Sequence, residues 1–176
     1  MTFLDDSSRR RVTAAIRRFR PGIVLTASPA DYHCDHEATS KLVMDACFGC
    51  SAPNYYTHTY DPAGALDRIP HLYFVDPVEG TDREGRPITP EFVVDVAAQM
   101  DAKRAMLLDH ESQRAWLRKQ HGMDNFVGAM EEWTHARGAL AGIQWGEGFR
   151  QYSGHAYPRT PLLQELLAGA VHRLAK

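Results

Sequence analysis

The sequence predicts an α/β domain of the doubly wound type, with a mostly parallel sheet and helices flanking it. Three observations carry this. Ile23–Thr26, His71–Val75 and Phe92–Val96 are short, apolar runs of strand length, as strands buried on both faces are. Helical-period segments precede and follow them, so that helix, tight turn, apolar strand, polar loop and helix recur in order. The polar stretch Asp31-Tyr32-His33-Cys34-Asp35-His36 follows the first run directly, and polar residues past the carboxyl end of a strand are where open α/β sheets do chemistry.

The elements follow from the residues. Asp6 or Ser7 is placed to cap a first helix running to about Arg18, and Arg20-Pro21-Gly22 ends it. Its arginines alternate with Val12, Ile16 and Phe19 at helical spacing, the pattern of a solvated face. Ile23–Thr26 reads as a fully buried strand. Asp35 can cap a second helix, whose pattern is clearest from Glu37 to Phe48. Ser51 to Pro70 holds Pro53, Asn54, Pro62 and Gly64 and reads as a long loop. Its Tyr55, Tyr56 and His58 suit either a polar ligand pocket or anchors on the core. Pro77 to Pro90 is an excursion with the turn residues of an irregular hairpin. From Ala97 to about Gln120 runs the longest helical pattern, with Lys103 and His110 on its apolar stripe; polar groups there must be paired or border a cavity. Gly122 closes it. A further helix is expected from Met123 to about Ala141, then glycine-rich chain from Gly142 to Gly154, and a last amphipathic helix from Pro161 to Leu174.

Composition bounds the function. The 176 residues suit a single domain with a real core, and 44% hydrophobic and 24% charged residues are globular values. A net charge of -2 gives no general attraction to nucleic acid or membranes, and no apolar run approaches the roughly 18 residues of a membrane span. The expected compartment is the cytoplasm. Three cysteines, an odd number, argue against a disulfide framework. Cys47-Phe48-Gly49-Cys50 is a lone C-x-x-C. It reads as small apolar residues ending a helix, or, with Cys34 and His36, as a structural zinc site.

The segments Arg20-Pro21-Gly22-Ile23-Val24-Leu25 and Asp31 to Thr39, with His33-Cys34-Asp35-His36 at their centre, resemble the second signature of the LmbE-like (PIG-L) N-deacetylases, R-P-D-[IV]-V followed by H-P-D-H-x-A-T. Pro70–Phe74, Lys103–Leu107, His110–Gln113 and Gly146–Arg150 resemble later segments, so the likeness spans nearly the whole chain. Gly22 replaces an acid and Cys34 a proline. The resemblance implies a Rossmann-like fold and zinc-dependent removal of acetyl from an N-acetylated amino sugar or related conjugate. It implies His36 as a zinc ligand, His33 as the group that polarises or protonates near the scissile amide, and Asp35 as a partner behind them. Asp31, Tyr32 and His110 are the candidates for contact with substrate. It leaves homo-oligomerisation open and calls for no nucleic acid or membrane.

The family's first signature, A-H-P-D-D-E, is absent from the sequence. It ordinarily supplies two zinc ligands and the general base. Amide hydrolysis near neutral pH takes a zinc with three protein ligands and an open position, a carboxylate to accept the water's proton, and a charged histidine for the oxyanion or leaving nitrogen. The ligand set is therefore incomplete, and the chain is expected to be the C-terminal portion of such an enzyme, lacking the family's N-terminal strands. The alternatives are a non-catalytic binding or assembly module on the same fold, and a small zinc or redox protein using Cys47 and Cys50.

Overall fold

The computed structural model describes residues 1–121 and 125–174. The helices are α1 (Asp6–Phe19), α2 (Cys34–Gly49), α3 (Met100–Leu108), α4 (Glu111–His121), α5 (Phe126–Ala139) and α6 (Leu162–Leu166), and the strands β1 (Ile23–Thr26), β2 (His71–Val75), β3 (Phe92–Asp95), β4 (Gly146–Tyr152) and β5 (Val171–Arg173). The chain divides into two compact units, residues 1–91 with 149–168, and residues 92–148 with 169–176.

In the first unit α1 starts where Asp5 accepts the Ser8 N–H and ends at Arg20, which adopts φ 48°. Val12 and Ile16 turn inward, whereas Phe19 is exposed. Arg17 is no part of a solvated face. It is buried, and its guanidinium donates to the carbonyls of Cys50, Tyr55 and Ala52 at 3.1, 2.8 and 2.6 Å. Those carbonyls lie at and just past the end of α2, where a cation suits the helix dipole. Ile16, Ala46, Cys47, Cys50, Leu72, Phe74 and Tyr157 form the core between the helices and the strands. Burying each large side chain contributes about 1.5–3 kcal/mol.

The expectation of a mostly parallel sheet is corrected. β1 and β2 pair in parallel, Ile23 opposite His71 and Thr26 opposite Phe74. Residues 149–152 of β4 run antiparallel to β2, with Arg150 opposite Phe74. In the second unit β3 and β5 are antiparallel as well. The strands are thus of mixed sense, because the glycine-rich segment, to which the sequence pattern assigns no element, carries the strand β4 and it runs antiparallel to β2. β1 is not fully buried either, since Leu25 is 51% exposed. The 77–90 excursion closes through a Thr81–Pro87 bridge, as an irregular hairpin does.

The second unit departs most from expectation. The long helix is broken: a 3-10 turn at Ala97–Gln99 leads into α3, and Asp109 and His110 separate α3 from α4. The closing Gly122 and the start at Met123 lie outside the described residues. The final segment is not one helix but α6, a 3-10 turn and β5; five helical residues precede Leu167, and the chain then becomes extended.

Candidate active site

The loop between β1 and α2 is built around Asp31, which is 2% exposed. Its Oδ1 accepts the His33 backbone N–H at 3.0 Å, the two-residue turn that Asp side chains favour. The same oxygen lies 2.9 Å from His36 Nδ1. Glu37 reaches back from the first turn of α2 to accept the Asp31 N–H at 3.1 Å, and its other oxygen is paired with Arg83. Asp31 is therefore fixed from both sides, and it fixes the imidazole in turn.

His33 does a different job. It is the N-cap of α2, and its ring Nδ1 accepts the Asp35 backbone N–H at 3.2 Å. The cap of this helix is thus an imidazole rather than the Asp35 carboxylate. Asp35 and Glu37 in the first turn complement the helix dipole.

These contacts assign opposite tautomers to the two rings. Asp31 Oδ1 is an acceptor already engaged by a backbone N–H, so His36 Nδ1 carries its proton and the lone pair sits on Nε2. His33 Nδ1 is an acceptor, so its proton sits on Nε2. The two rings lie 4.9 Å apart and tilted by 32°. Tyr32 stands edge-on to both, at 5.8 and 5.6 Å, and is 56% exposed. One ring offers a lone pair and its neighbour an N–H, under an exposed phenol.

The remaining predicted residues lie differently. The Asp35 carboxylate accepts the Thr2 N–H at 2.7 Å, and that bond holds its pKa below the ordinary value. It meets His33 through its backbone N–H, not through its carboxylate. His110 is exposed at the break between α3 and α4, on the rim of a groove of about 510 Å³ in the second unit. Lys103 lines the same groove and is paired with Glu147 at 2.7 Å and Thr134 at 2.8 Å. The polar groups of that helical face are thus partly answered by pairing and partly by position at a rim.

Two groups near the loop had no role in the sequence reading. Ser28, fully buried, accepts from Arg150 Nη2 at 2.7 Å. Burial pushes the Arg150 guanidinium down, and the charges of Asp76 and Glu91 oppose that. Nothing local in the sequence couples positions 28 and 150; the pairing of β2 with β4 does.

The cysteines separate by distance. Cys47 and Cys50 are 0% exposed at the end of α2, whereas Cys34 is exposed at its start. Thirteen residues of helix span about 20 Å, so the three thiols and His36 cannot share a metal. Burial pushes the Cys47 thiol up to about 12. Beside that end of α2 lies a second groove of about 650 Å³, lined by Phe48, Tyr55 and Tyr152 among others. Tyr55 therefore lines a groove, whereas Tyr56 is exposed and meets His58 edge-on at 5.9 Å.

No group of three or more His, Cys, Asp or Glu residues is placed to hold a metal ion among the described residues. A catalytic zinc takes three protein ligands, so the donors present do not fit one by themselves. Among the described residues no helix is long and apolar enough to cross a membrane.

Residues 3–47 match the family model described as PIG-L, GlcNAc-PI de-N-acetylase. The fold is similar to that of the conserved protein TT1542 from Thermus thermophilus, at 26% identity and a TM-score of 0.63, covering 87% of this chain and 61% of that one. It is similar to GalB, the 4-carboxy-2-hydroxymuconate hydratase from Pseudomonas putida, at 20% identity and TM-score 0.64, over 89% and 62% of the two chains. It is similar again to the N,N'-diacetylchitobiose deacetylase from Pyrococcus horikoshii, solved with an inhibitor, at 21% identity and TM-score 0.65, over 90% and 57%. The chain thus spans about three-fifths of each of these structures. The family model covers the His33–His36 segment from which the resemblance is read, and the α/β fold is one shared with these structures.

Proposed function

We propose that this chain carries the histidine half of a zinc-dependent N-deacetylase site, acting on a small N-acetylated sugar conjugate. The observation behind this is the opposite polarity of the two imidazoles. Metal-ligating histidines commonly donate their second ring N–H to a carboxylate, which fixes the ring and raises its basicity; His36 has that arrangement with Asp31 at 2.9 Å. His33 offers an N–H of the kind that polarises a carbonyl oxygen. Tyr32, exposed above both rings, is suited to stack on a sugar ring. Asp31 in this reading orients His36 rather than touching substrate, Asp35 shapes the cap from behind His33, and His110 contributes to a groove of its own unit. Zinc would supply a nucleophilic water at neutral pH, but the described donors include one of the three ligands it takes.

That shortage favours a second reading, a binding module on the same fold. The hydratase among the similar structures supports keeping the two apart, since one fold hosts several chemistries.

The test is a zinc titration of the chain combined with acetate release from an N-acetylglucosamine conjugate. The chain alone is expected to bind zinc weakly and to release no acetate. His36→Ala should abolish the weak binding, and His33→Ala should spare it. Equal loss in both variants, or zinc binding indifferent to His36, would overturn the assignment. Sugar binding that needs Tyr32 and ignores zinc altogether would favour the binding module.

A further inference from the structure

The histidine loop is attached to the sheet through one buried hydroxyl. Ser28 lies two residues past β1 and is 0% exposed. Its hydroxyl donates to the Ala30 carbonyl at 2.5 Å and accepts from the Ala30 N–H at 3.3 Å and from Arg150 Nη2 at 2.7 Å. A serine hydroxyl has one donor and two acceptor sites, so this one is saturated. Asp31, which holds His36, is the next residue after Ala30. Arg150 stands on β4 with its register fixed opposite Phe74 of β2, and its guanidinium lies 6.0 Å from the Phe74 ring centroid. Its Nε is buried without a hydrogen bond, so the bond to Ser28 is the link that an otherwise costly buried cation makes to this loop.

We propose that Arg150 is a positioning residue, which holds the Ser28–Asp31 turn and so keeps the His36 proton on Nδ1 and its lone pair on Nε2. The turn between Ser28 and Asp31 is otherwise held by Glu37 at the Asp31 N–H, by the His33 N–H at the Asp31 carboxylate, and by Ser28 at both polar groups of Ala30. Without the guanidinium the Ser28 hydroxyl keeps only its two bonds to Ala30 and loses its tie to β4, so the turn is free to shift as a unit and carry the Asp31 carboxylate away from the imidazole. An imidazole's tautomer is set by the hydrogen bond its other nitrogen makes, so a ring released from the carboxylate is free to carry its proton on Nε2. That state puts the useful lone pair on the wrong side of the ring. Fixing one tautomer through a partner behind the ring is how such sites are tuned. The charges of Asp76 and Glu91 favour the cationic form of Arg150 against the cost of its burial.

The inference rests on the reading of His36 as the imidazole that presents Nε2. The experiment is a two-bond nitrogen–proton correlation spectrum of the chain with ¹⁵N-labelled histidine, at a pH well above the imidazole range. The wild-type chain should show His36 as the single Nδ1–H tautomer. Ser28→Ala and Arg150→Met should bring in the Nε2–H form as a comparable or larger population, while Arg150→Lys, which can still donate to Ser28, should largely retain the original. Ser28→Ala removes the same bond without removing a charge, together with the two bonds to Ala30. Where Arg150→Met does not fold, a His36 signal that stays locked in Ser28→Ala overturns the role of Arg150, and one that divides, set against the retained signal of Arg150→Lys, supports it. A His36 signal locked in both folded variants would overturn the role of Arg150 and leave the reading of His36 standing. A wild-type signal already divided between tautomers would overturn that reading and this inference with it.

Discussion

The two ends of α2 solve one problem by opposite means. A helix leaves backbone N–H groups unmet at its start and carbonyls unmet at its end. At the start, an imidazole accepts the Asp35 N–H in a setting open to solvent, with His36 beside it and 42% exposed at its side chain. At the end, the buried Arg17 guanidinium collects the carbonyls of Cys50, Ala52 and Tyr55, and also donates to Thr57 Oγ1 at 3.1 Å. Cys47 and Cys50 are sealed behind it, and Cys50 Sγ turns inward to the Cys47 carbonyl at 2.9 Å. The first end is capped by a group that also has chemistry to offer, and the second by one that has only a structural task. Polar residues at the same distance from a helix terminus therefore carry different meanings, and burial separates them.

The largest expected effect tests the sealed end. Arg17→Ala leaves several buried carbonyls without their donor and should cost about 3–4 kcal/mol of unfolding free energy in a urea titration. Arg17→Lys should recover little, because a single ammonium cannot replace a planar fork of donors. His36→Ala at the open end should change stability by less than about 0.5 kcal/mol. Comparable losses at the two ends would mean that the contrast drawn from burial is wrong.

Much of this contrast was legible in the sequence at one end and hidden at the other. His33 and His36 stood out because loop and helix start are local features, as were α1, α2 and the strands at His71–Val75 and Phe92–Asp95. Arg17 did not, because five neighbouring arginines in and beside α1 share its charge and only the fold says which one turns inward. β4 was hidden by its glycines, and one of them has a packing cause: a Cβ at Gly146 would sit 2.4 Å from Val93 Cγ1 and 2.8 Å from Gly138 Cα. Whether strands pair parallel or antiparallel depends on partners far along the chain, so the mixed sense was not in the local pattern. Nor was the link from Arg150 to Ser28, which joins positions 122 residues apart. The cysteines went the other way, since the reading of Cys47 and Cys50 as apolar helix-end residues agrees with their complete burial.

The second effect sharpens the comparison through pH. Cys47 is pushed from 9.0 to about 12, first by burial and then by the neighbouring Cys50. A thiol whose folded pKa is raised keeps its proton in the native state while the unfolded chain loses it. Its contribution is fully present below about pH 9 and is lost as pH rises toward 12. Unfolding free energy should therefore fall across that window by up to about 1.4 kcal/mol per pH unit from this group. Melting curves of Cys47→Ala should show a shallower alkaline slope than the parent chain. A slope that does not change would mean that the thiol titrates alike in both states, and that the end of α2 is less sealed than its 0% exposure implies.

The smallest effect separates the two tasks of His33. As a cap, its ring nitrogen stands where Asn, Asp or Ser usually places an oxygen, and removing such a cap costs about 0.5–2 kcal/mol. His33→Ala should lose that amount, because the Asp35 N–H is left to water. His33→Asn restores an acceptor at the right reach and should regain most of it, since Asn is among the best caps. The N–H that His33 aims outward from Nε2 is lost in both variants. If the open end of α2 joins a structural and a chemical role in one ring, the two variants must differ in melting temperature yet agree in failing to bind an N-acetylated sugar through that N–H, as a chemical-shift titration at Tyr32 would report. An Asn variant as unstable as the Ala variant would show that the ring holds the loop by its contacts with Tyr32 and His36 at 5.8 and 4.9 Å rather than by capping. The distinction is sharp because both variants remove the ring contacts and only the Ala variant also removes the capping hydrogen bond.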